Sequence, residues 1–416
     1  MKIARRMALA LATAGLSVVA TACPPTEVPS EPIGWTSAFT GSPGDWAVTV
    51  GTTTNWHAEF RLPAGASAGS IVIQPRTGSN GDTLGPAQVI SGLPVNMGVD
   101  ASGPSGLLTD QILLTRVALS SPSEFQFVVN NSGTWSVGSA FTLPLGERVR
   151  AVSDTALVTS TMPPVSVKVY PVAIAGGAAS LGAAQVLAPP ASWPTSTMVG
   201  GQVAHEGDVI AVSGVPSAGS GTSLVGLFRN TGGTWSAEQT LSSPGEVQFG
   251  SNLAIDDRGA TERLAVGVRS SGPGIAGRVE TFTSSVAVWS PEATINPPSG
   301  VADSSNGTFF SATLALDGDL MVVGSAAGTY PAATAGGADR TLMVQLAFAH
   351  SGAGWAFDEA LRPVPGTDAD SSARDVRNVV VAGTHVATTA IVAIPPAPPA
   401  NPSPSQRIEA WRFDRH

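Results

Sequence analysis

The sequence has few of the residues that usually cross-link or charge a protein. Its one cysteine in 416 residues, Cys23, rules out an internal disulfide, so burial of apolar surface must stabilise the fold. Only Lys2 and Lys168 are lysines, charged residues make up 12% of the chain, and the net charge is −9. An acidic, lysine-poor surface argues against binding nucleic acid or anionic lipid by charge. Its partners are expected to be neutral, cationic or reached through metal ions.

The first 22 residues have the three-part layout of a signal peptide. Lys2, Arg5 and Arg6 come first, residues 7–19 carry no charge, and the small residues Ala20, Thr21 and Ala22 follow. The uncharged stretch is too short for a stable membrane span. These residues predict an exported protein.

Ala20-Thr21-Ala22-Cys23 resembles the lipobox of bacterial lipoproteins, although that family usually has Leu or Val in place of Ala20. The resemblance implies a signal peptide over 1–22, a lipid on Cys23 and a membrane-anchored protein on the extracytoplasmic side or cell surface. Residues 23–32 are then a proline-rich tether. The alternative is an ordinary secretory signal cleaved near Ala22, with Cys23 an incidental thiol.

The remaining chain is predicted to form many short strands joined by tight turns. With 47 glycines, 33 prolines and 43% hydrophobic residues, it has both turn signals and enough apolar side chains to fold. Four hairpin-like segments share an apolar strand, a polar turn, a tryptophan and a second strand. Their tryptophans are Trp135, Trp235, Trp289 and Trp355, and Trp35 lies in a similar context. We expect these side chains to pack between sheets, with stacking against a sugar as the alternative.

The spacing of the tryptophans indicates a repeat of about 50 to 60 residues. Residues 70–90 and 167–187 fit the same outer hairpin without a tryptophan. A shorter hairpin is predicted before each outer one, and these lie at 107–118, 149–159, 202–213, 253–268, 313–325 and 376–388. Two hairpins make a four-stranded antiparallel sheet, the unit of a propeller blade. Two β-sandwiches remain an alternative.

The segments FGSNLAIDDRG…RLAVGV at 249–268 and FFSATLALDGDLMVVGS at 309–325 resemble FG-GAP repeats. The resemblance is clear over residues 200–361 and implies an integrin-like β-propeller, which would occupy residues 33–416. The chain stops at RIEAWRFDRH, a third strand without a fourth, and residues 33–40 look like a fourth strand. Pairing of these two ends would close a ring of seven blades and remove two exposed sheet edges.

Motifs of catalysis are absent or incomplete. His205-Glu206 opens a zinc-protease motif, but Val209 stands at the second histidine position, so residues 206–208 are expected to form a turn. Residues 272–277 match GxGxxG but precede a predicted strand, whereas a dinucleotide site needs a helix. The five histidines are not spaced along the chain as the ligands of a metal ion usually are; they are His57, His205, His350, His385 and His416.

The nearest approach to a calcium loop is Asp368 with Asp370, and Asp375 follows seven residues after Asp368. The segment lacks the glycine and the closely spaced third carboxylate of a DxDxDG loop. Residues 256–259 and 317–319 are better explained as turns. We therefore expect no catalytic residue and no cofactor, and calcium at Asp368, Asp370 and Asp375 is the remaining candidate for a metal site.

Three functions stay open. The first is a non-catalytic, monomeric surface propeller that binds a protein or glycan. The second is a hydrolase or lyase acting on polysaccharide, which two or more carboxylates at the mouth of a central channel would favour. The third is a structural component of the cell envelope.

Overall fold

The computed structural model describes residues 36–37, 46–53, 55–62, 68–77, 83–94, 108–118, 124–161, 166–194, 197–216, 222–244, 248–257, 261–269, 277–285, 288–298, 310–330, 340–361, 372–382, 385–394 and 405–414. The predicted signal peptide, Cys23 and the tether lie outside these residues. The described part is all-β, and it contains no helix long and apolar enough to cross a membrane.

The first half of the chain contributes strands that follow each other closely. They are β1 Thr36–Ser37, β2 Trp46–Thr52, β3 Trp56–Leu62, β4 Ala68–Thr77, β5 Thr83–Leu84, β6 Gln88–Pro94, β7 Ile112–Ala118, β8 Glu124–Asn131, β9 Thr134–Thr142, β10 Glu147–Val152, β11 Ala156–Thr161, β12 Val167–Ala175, β13 Ala178–Leu181 and β14 Gln185–Val186.

The second half is more regular. Its strands are β15 Thr197–Glu206, β16 Val209–Pro216, β17 Leu224–Thr231, β18 Thr234–Ser242, β19 Phe249–Asp256, β20 Glu262–Val268, β21 Arg278–Ser285, β22 Val288–Ile295, β23 Phe310–Asp317, β24 Leu320–Tyr330, β25 Arg340–Ser351, β26 Gly354–Leu361, β27 Ser372–Ala382, β28 His385–Ile394 and β29 Ser405–Asp414.

The described strands form six sheets, here numbered in chain order. Sheet I runs β27-β28-β29-β2-β3-β4-β5, with β1 on β29 and β6 on β4; sheet II is β7-β9 and sheet III is β10-β14. Sheets IV, V and VI each have four strands in chain order, β15-β18, β19-β22 and β23-β26. Every pairing in sheets II to VI is antiparallel, as two successive hairpins require. The predicted four-stranded units are thus present in sheets IV, V and VI.

Apolar side chains fill the spaces between consecutive sheets. One cluster joins sheets I and II through Phe60 and Trp135, and others join II to III, III to IV, IV to V and V to VI. Strands alternate their side chains between the two faces, so these clusters bury sheets II to V on both sides. Sequence analysis missed one inner hairpin, β2-β3, because its turn lacks glycine and proline. Conversely, the predicted hairpin at 107–118 holds only a single bridge, Leu108 to Leu113.

The first strand of sheets IV, V and VI carries the same bulge. The register shifts after Val199, Phe249 and Phe310, and the next residue has positive φ in each case. Glycine occupies this position in sheets IV and V, with φ 88° at Gly200 and 81° at Gly250, but sheet VI has Ser311 at φ 73°. The Asn252 side chain donates to the Ser311 carbonyl across the sheet interface at 2.6 Å. A neighbouring sheet therefore holds this strained serine in place.

Replacing Ser311 with glycine should raise the free energy of unfolding by about 1 kcal/mol, because a left-handed backbone costs an L-residue about 1–2 kcal/mol. The matched reverse change, Gly250→Ser, should destabilise the fold, since its Cβ would also meet side chains of Val225 and Ser213 at 3.0 and 3.2 Å. Denaturant unfolding of both variants measures this. A Ser311→Gly variant less stable than the parent would contradict the strain argument.

Candidate functional site

The predicted site residues fall largely outside the described part of the chain. Cys23, Asp368 and Asp370 lie there, and so does His416. Asp375 belongs to β27, but its side chain is not among those described. Within the described ranges, no three His, Cys, Asp or Glu side chains are grouped so as to hold a metal ion. Calcium binding at Asp368, Asp370 and Asp375 stays a prediction.

Two of the predicted turns are present. Gly207 and Asp208 connect β15 to β16, with φ 49° at Gly207, and Gly318 lies in the turn between β23 and β24 with φ 57°. The segment after the GxGxxG match is strand β21, not a helix. Residues 258–259 and 272–276 lie outside the described part.

Three of the repeated tryptophans are buried between sheets, as predicted. Trp135, Trp235 and Trp289 are 3%, 8% and 2% exposed. Each is held by a glutamine from the preceding sheet, whose side chain both donates to the tryptophan carbonyl and accepts from its amide N–H. These pairs are Gln88 with Trp135, Gln185 with Trp235 and Gln239 with Trp289.

Sequence analysis did not identify these glutamines, although a signal was present. Gln88, Gln185 and Gln239 each stand two residues before the apolar residue that ends the outer hairpin, namely Ile90, Leu187 and Leu241. Two hydrogen bonds to backbone groups satisfy polar atoms that would otherwise be buried unpaired at the sheet interface. The arrangement is structural.

Trp355 differs from the other three. The preceding sheet, sheet V, has no glutamine at the position that binds the tryptophan: Ala293 stands there, two residues before Ile295. Trp355 remains partly exposed, and charged side chains surround it. We call this place, between sheets V and VI, the Trp355 groove; it comprises Arg263, Glu292, Asp319, His350 and Trp355.

Hydrogen bonds connect the polar groups of the groove. Trp355 Nε1 donates to Glu292 Oε2 at 2.9 Å, and His350 Nε2 lies 3.0 Å from Glu292 Oε1. Arg263 Nη1 donates to Asp319 Oδ1 at 2.9 Å and to the Gly318 carbonyl at 3.1 Å. Each carboxylate therefore has a donor of its own.

The tautomer of His350 follows from its neighbours. Arg263 Nη2 lies 3.1 Å from His350 Nδ1, and a guanidinium can only donate. In the neutral ring this contact makes Nδ1 the acceptor and assigns the proton to Nε2, facing Glu292, while Asp319 Oδ1 lies 3.4 Å from Nδ1. His350 also packs edge-on against Trp355 with ring centroids 5.0 Å apart, and Arg263 lies 5.9 Å from the Trp355 ring centre.

A second aromatic residue extends the groove along β26. Phe357 follows Trp355 by two residues, so both side chains point to the face that packs towards sheet V. Phe357 is 44% exposed and contacts the buried Phe348, with ring centroids 5.7 Å apart. Two residues after the repeated tryptophan, sheets II, IV and V have Val137, Ala237 and Pro291 instead of an aromatic residue.

The groove between sheets IV and V is closed by comparison. Arg229 makes two parallel hydrogen bonds to Glu262 at 2.7 Å and also binds Glu238. The bonds from Arg229 hold the pKa of Glu262 below its usual range. The tryptophan of this interface, Trp289, is 2% exposed, so its ring is not accessible as that of Trp355 is.

Two further polar clusters lie deep between strands. Glu59 is 1% exposed and binds His57 and Arg61, and these partners lower its pKa against the opposing effect of burial. Glu147 accepts from Lys168, from Tyr170 at 2.8 Å and from Thr159 at 3.0 Å. The carboxylates of both clusters are buried, whereas their cationic partners Arg61 and Lys168 reach the surface, at 29% and 24% exposure. We therefore assign these clusters to the stability of the fold and not to ligand binding.

Sequence analysis could not assemble the Trp355 groove. It interpreted Asp319 as a turn residue, Trp355 as a packing residue and His350 as one of five histidines without the spacing of metal ligands. It did not single out Arg263, Glu292 or Phe357. The structure brings the first three together with Arg263 and Glu292. Trp355 packs against sheet V as predicted, but it is partly exposed and hydrogen-bonded, unlike the other three.

Solved structures resemble the fold at low sequence identity. One from a study of two prolyl endopeptidases has a TM-score of 0.50 and 12% identity, covering 88% of this chain and 47% of that one. A Lactobacillus plantarum protein has a TM-score of 0.45 and 12% identity, covering 88% and 99%. The β-propeller domain of the Trilobed protease from Pyrococcus furiosus has a TM-score of 0.47 and 8% identity, covering 90% and 96%.

No family model matches the chain, and no curated protein matches it in sequence. At identities this low, similarity to a solved structure concerns the fold alone. The consecutive four-stranded antiparallel sheets of the described residues, packed face to face, themselves give the chain a β-propeller-like all-β fold.

Proposed function

We propose that this protein is a membrane-anchored extracytoplasmic lipoprotein whose propeller-like domain binds a protein or a glycan without catalysing a reaction. The observation that carries this proposal is the Trp355 groove. It offers two partly exposed aromatic side chains beside hydrogen-bond donors and acceptors, the mixture typical of binding sites.

The same groove argues against catalysis. Glu292 is engaged by Trp355 and His350, and Asp319 by Arg263. A general acid or base needs a carboxyl free to exchange a proton with the substrate. Carboxylates that are already bonded to donors of the protein serve better to position side chains than to transfer protons.

We further propose that the domain is an FG-GAP-like propeller of seven blades, closed by residues 33–40 beside the C-terminal strand. The antiparallel pairing of Thr36 with Arg412 and of Ser37 with Trp411 supports this closure. Chain ends that pair in this way protect a sheet edge that would otherwise be open. A closed ring would hold the grooves between sheets rigid for binding.

The anchor is tested by replacing Cys23 with serine. We expect the variant to move from the membrane fraction to the soluble fraction, because a lipid on this residue would supply most of the membrane affinity. Thr21→Ser, which keeps the cysteine, is the control and should stay in the membrane fraction. A Cys23→Ser variant that still partitions with detergent would show that another anchor is at work.

The soluble Cys23→Ser protein then tests binding. Screened against arrays of envelope proteins and of glycans, it should retain at least one of them without changing it. Release of shorter products from a polysaccharide would favour the hydrolase or lyase instead. Failure to retain any protein or glycan would favour a structural envelope role and overturn the proposal.

A further inference from the structure

The Trp355 groove has a composition that restricts what it can bind. Three of the four repeated tryptophans are locked by a glutamine and buried, whereas Trp355 lacks this partner and stays partly exposed. Phe357, exposed by 44%, lies beside it on the same strand face. The side chains of Arg263 and His350 are each 15% exposed, Glu292 is 16% exposed and Asp319 is 71% exposed.

We propose that the Trp355 groove is a carbohydrate site that takes a neutral glycan, an assignment that rests on the proposed binding function. A sugar ring has C–H faces that pack on aromatic rings and hydroxyls that both donate and accept. The groove supplies both: Trp355 and Phe357 give the aromatic surface, and charged side chains at its edge give donors and acceptors.

The charges of the groove favour a neutral ligand. An anionic sugar would meet Glu292 and Asp319 in a protein whose net charge is already −9. A cationic ligand would meet the guanidinium of Arg263, which already pairs with Asp319 and lies beside the Trp355 ring. A neutral hydroxyl meets no like charge, and it can bond to the carboxylate oxygens, which have lone pairs left after one hydrogen bond each.

The position of the aromatic pair favours a sugar over an extended peptide. A peptide that adds to the outer edge of a sheet pairs through main-chain groups, and side chains matter only in alternate pockets. Here the exposed rings lie on the face of β26 that turns towards sheet V, beside Glu292 on β22. The groove between two sheets, and not the edge of one, is therefore the contact surface.

The test uses the full-length protein carrying Cys23→Ser and an array of immobilised neutral and acidic oligosaccharides. We expect retention on neutral glycans, and calorimetry with the retained oligosaccharides then gives the dissociation constant. Phe357→Ala should raise this constant about tenfold, the size of one stacking contact. Trp355→Ala should raise it further, and Glu292→Gln should weaken binding too, because a good acceptor is lost.

The control is Val288→Ala, which removes a 58% exposed side chain from β22 without touching the groove, and should leave the constant unchanged. Thermal unfolding checks that each variant folds, and Phe357→Ala, at an exposed position, should unfold at the parent temperature. If Phe357→Ala and Trp355→Ala leave glycan binding unchanged, the glycan binds elsewhere. The site would then be wrong, although the proposed binding function would stand. Retention of acidic glycans or proteins alone would overturn the neutral ligand, and retention of nothing would overturn the proposed function itself.

Discussion

Lys168→Met should lower the free energy of unfolding by about 3 to 5 kcal/mol, because it leaves the carboxylate of Glu147 buried without a cation. Lys168 is the single lysine after residue 22, and its ammonium group binds Glu147, whose side chain is 0% exposed. The remaining partners, Tyr170 and Thr159, are neutral donors. Burial, followed by the bond to Glu147, raises the pKa of Tyr170, so its phenol stays protonated. Denaturant unfolding at neutral pH measures the loss.

Two variants separate this effect from a general loss of packing. Arg148→Met removes an exposed cation next to Glu147 in the chain and should change stability by no more than about 0.5 kcal/mol. Adding Glu147→Gln to Lys168→Met removes the unpaired charge and should recover a large part of the loss. A double variant as unstable as Lys168→Met alone would mean that the methylene packing of Lys168, and not its charge, stabilises sheet III.

The largest expected pH effect comes from His205. This side chain is 9% exposed, lies edge-on to Trp235 and has its Nε2 3.0 Å from the Gly207 carbonyl. Burial lowers its pKa to about 4, against the smaller opposing effects of the Gly207 carbonyl and Asp208. In the unfolded chain a histidine has a pKa of about 6.5. The unfolded state therefore binds more protons between these two values.

It follows that the contribution of His205 to stability is complete above about pH 6.5 and declines as the pH falls towards 4. The total loss from this group is about 3 kcal/mol. His205→Leu removes the titrating group, so the variant does not lose this contribution. Between pH 7 and pH 4 its free energy of unfolding should rise by about this amount relative to that of the parent. Urea unfolding across this range tests it. Parallel stability curves would mean that His205 takes up its proton equally well in the folded and unfolded states.

Much of the fold could be predicted because its signals are local. Ser132 and Gly133 form the turn between β8 and β9, and Gly232 and Gly233 form the turn between β17 and β18. Both were predicted because a polar segment with glycine interrupts an apolar run. Sheets IV, V and VI consist of the two hairpins expected for each. The β2-β3 hairpin was missed because its turn carries no such glycine or proline signal. Thr53 closes the turn instead, since its side chain accepts from the backbone N–H of Asn55 and Trp56.

The candidate site could not be predicted in this way. The exposure of Trp355 could not be read from its own hairpin, because the glutamine that binds Trp235 and Trp289 belongs to the preceding sheet, where Ala293 stands in its place for Trp355. Arg263 and His350 meet across 87 residues of chain, and Trp355 and Glu292 across 63. Sequence analysis also treated Lys168 only as part of the composition, although its contact with Glu147 makes it a buried partner.

The sequence by itself therefore determined the all-β class, most strands and turns, and the repeat of buried tryptophans, because alternation and turn chemistry act between neighbours in the chain. The tertiary structure alone decided which tryptophan stays open, which carboxylates have cationic partners and where aromatic and polar side chains converge. These features depend on the contact between separate sheets. Burial and pairing are properties of that contact, and no spacing along one strand encodes them.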